Sequence, residues 1–270
     1  CGICGFIEPK SFKKFEARDI LELMNSKLIH RGPDASGVWL EPQNKVALGH
    51  RRLSVLDLSS AGNQPMISDS ERYVLAFNGE IYNHLALRDK VTSYIFQTQS
   101  DTETFLALYI KHGVSALSMC DGMFAFAVVD ENIGILHLAR DRFGEKPLYL
   151  HLGPQFFGFA SNMKALMKSL QLSKEIDPLS LNRYLALHYI PGQKTIFQGV
   201  ERLLPGERIE FSLIDGTCKR FKYYELIKPE DDISNAEELE SLLKEAVESR
   251  LVGDVQVGVF LSGGLDSSFI

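Results

Sequence analysis

The sequence predicts an α+β fold in which packed antiparallel sheets are covered by helices. Strand-like runs arrive in groups, Met123 to Val129 with Gly134 to Ala139 and Leu148 to Leu152 with Phe156 to Ala160. Helical patterns are also grouped, where a parallel fold would alternate strand and helix strictly. The composition, 45% hydrophobic and 24% charged over 270 residues, is that of an ordinary globular chain with enough apolar content for a core. The length suits one or two domains at roughly 100–200 residues each.

The elements follow in order. Residues 3–7 are apolar and suit a strand that starts beside Cys1. Glu16 to Ile29 carries Ile20, Leu21, Met24, Leu28 and Ile29 at helical spacing. Arg31-Gly32-Pro33-Asp34 ends that helix in a loop. Val38 to Leu40, Val46 to His50 and Tyr73 to Phe77 read as strands, the last running into Asn78-Gly79-Glu80-Ile81-Tyr82-Asn83. A helix is expected from His84 to Lys90. Another follows Ser100-Asp101-Thr102-Glu103, where Ser100 suits the cap and Glu103 the capping-box position. The charged loop Arg140 to Pro147 separates the two strand pairs named above. Ser161 to Leu170 and Leu179 to His188 read as short helices.

Composition shifts at Lys228-Pro229-Glu230-Asp231-Asp232, which marks a linker over 226–233 between a first domain, 1–225, and a second region, 234–270. Ser234-x-x-Glu237 is a capping-box pattern, and Leu239, Leu242, Leu243, Val247 and Leu251 mark one helix face. Val255 to Leu261 reads as a buried-type strand feeding Ser262-Gly263-Gly264-Leu265-Asp266-Ser267-Ser268. A second region of this size, with one helix and one strand, cannot bury a core, so it reads as the truncated start of an α/β nucleotide-binding domain. The chain is therefore expected to be the front part of a longer enzyme.

Net charge is -6 and no long basic block occurs, which argues against a nucleic-acid partner. The apolar run at 123–129 is far too short to span a bilayer, and no signal-peptide pattern precedes it, so no membrane partner is expected. Four cysteines stand at 1, 4, 120 and 218. The lone C-x-x-C of Cys1 and Cys4 has no second pair or His pair to complete a zinc site, and no metal site is expected in this first domain. Unpaired thiols fit a reducing cytosol, so a cytoplasmic location is expected.

Cys1 is the strongest chemical clue. In an N-terminal cysteine the thiol and a free α-amine share one residue. An α-amine titrates near pH 7.7–8.0, so it can take the thiol proton. Nucleophile and base then come together, as in N-terminal threonine variants. Asn78-Gly79 allows two readings at this point. It is a common hairpin turn, and it is also an amide side chain beside a close-approaching backbone N–H, the makings of an oxyanion hole. Ser262 to Ser268 lies between a strand and a helix, where exposed N–H groups hold phosphate. It lacks the lysine of the Walker pattern, so it is not a standard P-loop.

Taken together, Cys1-Gly2-Ile3, Arg31-Gly32-Pro33-Asp34, His50-Arg51-Arg52-Leu53-Ser54, Asn78 to Asn83, Ser100-Asp101, Asp121 to Phe126, Arg140 to Gly144 and Ser262 to Ser268 resemble the glutamine-dependent asparagine synthetase family. The order and spacing of these blocks make the resemblance specific, and it covers essentially the whole chain. It implies an αββα N-terminal-nucleophile hydrolase sandwich followed by an ATP pyrophosphatase-type domain. It implies that Cys1 attacks the side-chain amide of glutamine, with Asn78 and Gly79 as the oxyanion hole. Arg52, with its planar fork, would clamp the glutamine α-carboxylate, and Asp101 would hold the α-ammonium. Glu80 would lie beside the amide, with the Leu53 and Val55 backbones lining the pocket. Arg51 is expected to be surface charge, and the Arg31 to Asp34 loop scaffold.

The resemblance further implies that Leu261, Ser262, Gly263, Gly264, Asp266 and Ser267 contact ATP, with Mg2+, in a longer enzyme. There ammonia would pass to an ATP-activated carboxylate, aspartate first among the acceptors. The glutaminase step itself needs no cofactor. A homodimer is compatible with the resemblance. The Ser262 to Ser268 loop argues against amidotransferases that make amino sugars or phosphoribosylamine. Retention of Cys1, Arg52, Asn78, Gly79 and Asp101 argues against a non-catalytic glutamine-binding module. Asn162, where the family usually has Glu, and Glu145, where it usually has an apolar residue, depart from the pattern outside the proposed pocket.

Overall fold

Alternating or continuous apolar runs bounded by turn residues become strands when a second sheet covers them, and most of the twelve strands among the described residues arise in this way. The computed structural model describes residues 1–8, 14–43, 45–153, 156–226 and 235–270. Strands β1 (Gly2–Ile7), β2 (Ala35–Leu40) and β3 (Val46–Arg52) follow the expected runs, with helix α1 (Lys14–Ser26) between β1 and β2. Next come β4 (Met66–Ile67), β5 (Tyr73–Ile81), α2 (His84–Arg88), α3 (Asp101–His112) and α4 (Ala116–Met119). They are followed by β6 (Gly122–Asp130), β7 (Ile135–Arg140), β8 (Tyr149–Leu152), β9 (Phe157–Ala160), α5 (Met163–Ser169) and α6 (Pro178–Leu187). The remainder comprises β10 (Glu201–Arg202), β11 (Glu207–Ser212), β12 (Cys218–Lys222), α7 (Ala236–Glu248) and α8 (Leu265–Phe269). No described helix is long and apolar enough to cross a membrane.

The strands form two six-stranded sheets, in the orders β10-β8-β9-β1-β3-β2 and β12-β11-β7-β6-β5-β4, and every named pairing is antiparallel. The inner layer joins the two sheets through Ile3, Leu48, Val74, Ala76, Ala127, Leu138 and Phe159. A second layer packs α3 on the outer face of β5 and β6 through Phe77, Phe105, Phe124 and Phe126. A third packs α1 and α5 on the other sheet through Leu21, Met24, Cys4 and Leu166. This is the expected αββα sandwich, since each sheet is apolar on both faces and buries both.

Local chemistry sets the helix starts. Ser100 accepts from the Glu103 N–H, 3.2 Å, as a cap should. The capping box is not reciprocal, because the Glu103 carboxylate accepts instead from the Gln97 and Thr98 N–H groups at 2.8 and 2.6 Å. Asn162 caps α5 by accepting from the Lys164 N–H, 2.8 Å, a role an asparagine fills well. For α7 the cap is Asn235, which accepts from the Glu238 N–H, 2.8 Å. Ser234 and most of the expected linker lie outside the described residues.

One element differs from expectation. Val255 to Leu261 forms no strand and is exposed, with Phe260 97% and Leu261 74% accessible. A strand of an open parallel sheet needs neighbours to satisfy its backbone and cover its side chains. No described residue supplies one to this segment. The buried-strand reading rested on apolar content alone, which the segment keeps without the sheet.

Candidate active site

β1 starts directly after Cys1, so the sheet that fixes Gly2 to Ile7 also fixes where the Cys1 side chain emerges. Gly2 pairs with Arg51, and Ala35 with Arg52, so this sheet end gathers Cys1, the 31–34 loop and the chain leaving β3 at Leu53. The Cys1 α-amine donates to the Arg31 carbonyl, 3.0 Å. The Leu53 N–H donates to Cys1 Sγ, 3.4 Å, a contact that favours the thiolate. The 31–34 loop is scaffold, as expected, but scaffold in direct contact with the amine of the nucleophile. Burial, helped by the Lys146 and Arg31 cations, lowers the Cys1 amine pKa to about 6. At neutral pH most of that amine is unprotonated and able to accept the thiol proton.

Asn78 and Gly79 do not form a turn. Both lie inside β5, paired with Ala125 and Phe124 of β6. The turn reading rested on a two-residue signal, and the long β5–β6 ladder overrides it. β5 extends past its edge partner β4, which pairs only with Val74 and Leu75. The N–H groups beyond that point therefore need other acceptors. Phe77 donates to Gln64 Oε1, 2.6 Å, and Ile81 to Asp101 Oδ2, 2.8 Å. Antiparallel ladders alternate the direction of successive N–H groups. The Gly79 N–H, between those two, points the same way, away from β6 and into the cleft that holds Cys1. A Cβ at Gly79 would lie 2.4 Å from the Met123 carbonyl oxygen, so this close approach requires glycine. The Asn78 side chain faces the inner layer, where its Nδ2 donates to Ser161 Oγ, 3.4 Å. Ser161 Oγ also accepts from the Ile3 N–H, 2.9 Å, which ties Asn78 to the strand of Cys1.

Cys1, Arg52, Leu53, Val55, Glu80 and Asp101 line one small cleft with Gln64, Phe77 and Gly79. Its volume is about 20 Å³, room for about one water molecule. Arg52 is buried rather than a surface charge. Its guanidinium donates to the Ser59 carbonyl, 2.5 Å, Asn63 Oδ1, 3.1 Å, and the Leu56 and Asp57 carbonyls. The fork therefore grips the 56–63 loop from the wall of the cleft. A second cleft of about 270 Å³ opens on the other side of Cys1, lined by Asn78, Gly79, Glu80, Tyr82, Met123 and Lys146, with Arg250, Val252, Gly253, Val255 and Val257.

Two carboxyls share the site. Burial, then the neighbouring Asp101, pushes Glu80 up to about 8, while Lys146 opposes. Burial pushes Asp101 up to about 6 against the N–H bonds it accepts. Glu80 is thus largely protonated at pH 7. A carboxyl raised in the folded state binds its proton more tightly than the unfolded chain does. Its cost to stability therefore grows as pH rises from the ordinary carboxyl range, near 4.5, to about 8. Glu80→Gln is expected to flatten that decline. Urea midpoints at pH 6 and pH 9 should lie closer together in the variant than in the parent, and an unchanged gap would refute the assignment.

The sequence alone assigned no role to Lys146, Ser161 or the Arg31 carbonyl. Lys146 sits in the Arg140 to Pro147 loop, which is shaped by buried Asp141. The Asp141 carboxylate accepts from the Phe124, Phe143, Glu145 and Lys146 N–H groups at 3.0–3.2 Å. No local spacing marks a lysine so placed.

The residues proposed to contact ATP lie elsewhere, on the exposed 261–267 stretch. Gly263 has φ 78°, and nothing lies within 4 Å of where its Cβ would be, so the backbone is open to a phosphate-sized group. The Ser262 and Ser267 hydroxyls face each other at 2.8 Å. These features fit a phosphate. Among the described residues no group of three His, Cys, Asp or Glu side chains could hold a metal ion.

Residues 1–224 match the glutamine amidotransferase domain family, and residues 238–270 match the asparagine synthase family. The chain is 36% identical to asparagine synthetase (glutamine-hydrolyzing) 1 of Bacillus subtilis, over all of this chain and 43% of that protein. It is 36% identical to asparagine synthetase B (glutamine-hydrolyzing) of Escherichia coli, over all of this chain and 44% of that protein. The chain thus spans less than half the length of these relatives. Its fold matches that of glutamine phosphoribosylpyrophosphate amidotransferase from B. subtilis, with a TM-score of 0.60 and 22% identity over 84% of this chain and 50% of that one.

Proposed function

Given that the chain belongs to the glutamine amidotransferase family, we propose that Cys1 is the nucleophile that hydrolyses glutamine to glutamate and ammonia. The observation that carries this reading is the convergence of the Cys1 thiol, its unprotonated amine and the inward Gly79 N–H on one cleft. The Cys1 amine takes the thiol proton, and Sγ attacks the side-chain amide carbon. The C=O π pair moves onto oxygen, which Asn78 Nδ2 and the Gly79 N–H stabilise. Collapse of the tetrahedral adduct breaks the C–N bond, and the protonated amine returns its proton to the departing ammonia. Water, deprotonated by the same amine, then hydrolyses the thioester to glutamate and restores the thiol.

Arg52 is assigned to the α-carboxylate and Asp101 to the α-ammonium, with Glu80 beside the amide and Leu53 and Val55 lining the pocket. The acid limb of kcat/KM for glutaminase should fall near pH 6, where the amine protonates. Lys146→Met removes a cation that holds this pKa down, so its limb should move to higher pH. An acid limb near pH 8 in the parent, or no movement in Lys146→Met, would count against the amine as base.

The second region is proposed as the start of an ATP-dependent synthetase domain, with the division at 1–225 and 234–270. In the whole enzyme the released ammonia is proposed to meet an ATP-activated carboxylate, aspartate first among the acceptors. Ser262, Gly263, Gly264, Asp266 and Ser267, with Leu261, would face ATP, whose role is to activate that carboxylate. Similarity to two glutamine-hydrolyzing asparagine synthetases supports this acceptor. Mg2+, a homodimer and a cytoplasmic setting belong to the same proposal, as does the absence of nucleic-acid and membrane partners.

A further inference from the structure

After α7 the chain turns back to the mouth of the cleft, and three contacts seat it there. The Arg250 guanidinium lies 5.0 Å over the Tyr82 ring. The Asp254 N–H donates to the Val55 carbonyl, 2.8 Å. Asp254 Oδ2 accepts from the Asp57 N–H, 2.8 Å.

Asp57 joins three parts of the glutamine site. Its carbonyl accepts from Arg52. Its Oδ2 accepts from the Gln99 N–H, 2.8 Å, two residues before Asp101. Its Oδ1 accepts from the Ser59 N–H and hydroxyl, 3.1 and 2.6 Å. Asp57 also has φ 53°, a left-handed backbone that a non-glycine residue keeps only when its surroundings hold it there. The Asp254 carboxylate is part of that hold, since it takes the Asp57 N–H directly.

We propose that Asp254 is a positioning residue for glutamine binding, although it lies outside the 1–224 amidotransferase match. By pinning Asp57 it sets the loop that Arg52 grips and the approach to Asp101. The pocket for the glutamine α-carboxylate and α-ammonium is then complete only when the 250–257 segment is docked. This inference rests on the reading of residues 1–224 as a glutaminase. The cleft that contains Cys1, Asn78 and Gly79 does not involve the Asp254 side chain, so the chemical step should not depend on it.

The test uses steady-state ammonia release from glutamine by the chain of residues 1–270. Asp254→Ala should raise the glutamine KM about tenfold, the loss of one charge-assisted hydrogen bond, with kcat within about twofold. Asp254→Asn keeps an acceptor for the Asp57 N–H and should return KM to within about twofold of the parent. Asp254 is exposed, so neither change should unfold the chain, and matching circular dichroism checks this. A parent-like KM in Asp254→Ala overturns the proposal, as does an equal fall of kcat in both variants. Absence of ammonia release by the unaltered chain would sink the glutaminase reading itself and this proposal with it, a failure visible before any variant is made.

Discussion

Cys1→Ala is expected to lower glutamine hydrolysis by more than about 10⁴-fold, the usual consequence of removing a nucleophile that acts as a unit with its base. The variant keeps the α-amine and its bond to the Arg31 carbonyl, so the base survives without a thiol to activate. Among the described residues the side chain's hydrogen bonds are two long ones, both with Leu53, at 3.4 and 3.6 Å. Thermal unfolding should therefore be almost unchanged. Ammonia release above a few per cent of the parent would show that another group attacks glutamine.

Asn78→Ala is expected to lower kcat by about 10²–10³-fold with little change in glutamine KM. An oxyanion donor acts only as charge develops on the oxygen, so its loss appears in the chemical step and not in ground-state binding. The cost to folding should be small. Ser161 Oγ keeps the Ile3 N–H when Asn78 Nδ2 is gone. Parallel measurement of kcat and KM decides the matter. A large rise in KM with kcat intact would place Asn78 in substrate binding instead.

Most of the sandwich was legible because its core strands carry their own signal. β1, β6 and β9 are largely apolar runs, and each buries both faces. Ser100 declared the start of α3 through its spacing to Glu103. The β11–β12 edge was not legible. Glu207, Arg208 and Glu210 break the apolar pattern, while Ile209 and Phe211 enter the inner layer and Cys218 packs against it, with Phe211 stacked on Phe157 at 4.9 Å. Charged edge strands guard a sheet against mispairing, and the same charges hide them from a pattern reading.

The site was legible in part for a related reason. Cys1, Arg52, Asn78, Gly79, Glu80 and Asp101 stand in recognisable blocks, and Arg52, Gly79, Glu80 and Asp101 line one cleft with Cys1. From distant positions, Lys146 reaches the second cleft beside Cys1, Ser161 bonds to Asn78 and Asp254 bonds to Asp57. Their contribution comes from the folded path of the chain, through the Asp141-centred loop, the end of β9 and the turn after α7. Nothing local to their sequence marks them.

The measurement that bears most directly on Cys1 as nucleophile is intact mass after incubation with 6-diazo-5-oxo-norleucine, a glutamine-mimicking electrophile, followed by peptide mapping. One adduct per chain, located on Cys1, blocked by excess glutamine and lost in Cys1→Ala, is the expected result. No adduct, or an adduct on Cys4, Cys120 or Cys218 that persists in Cys1→Ala, would contradict it.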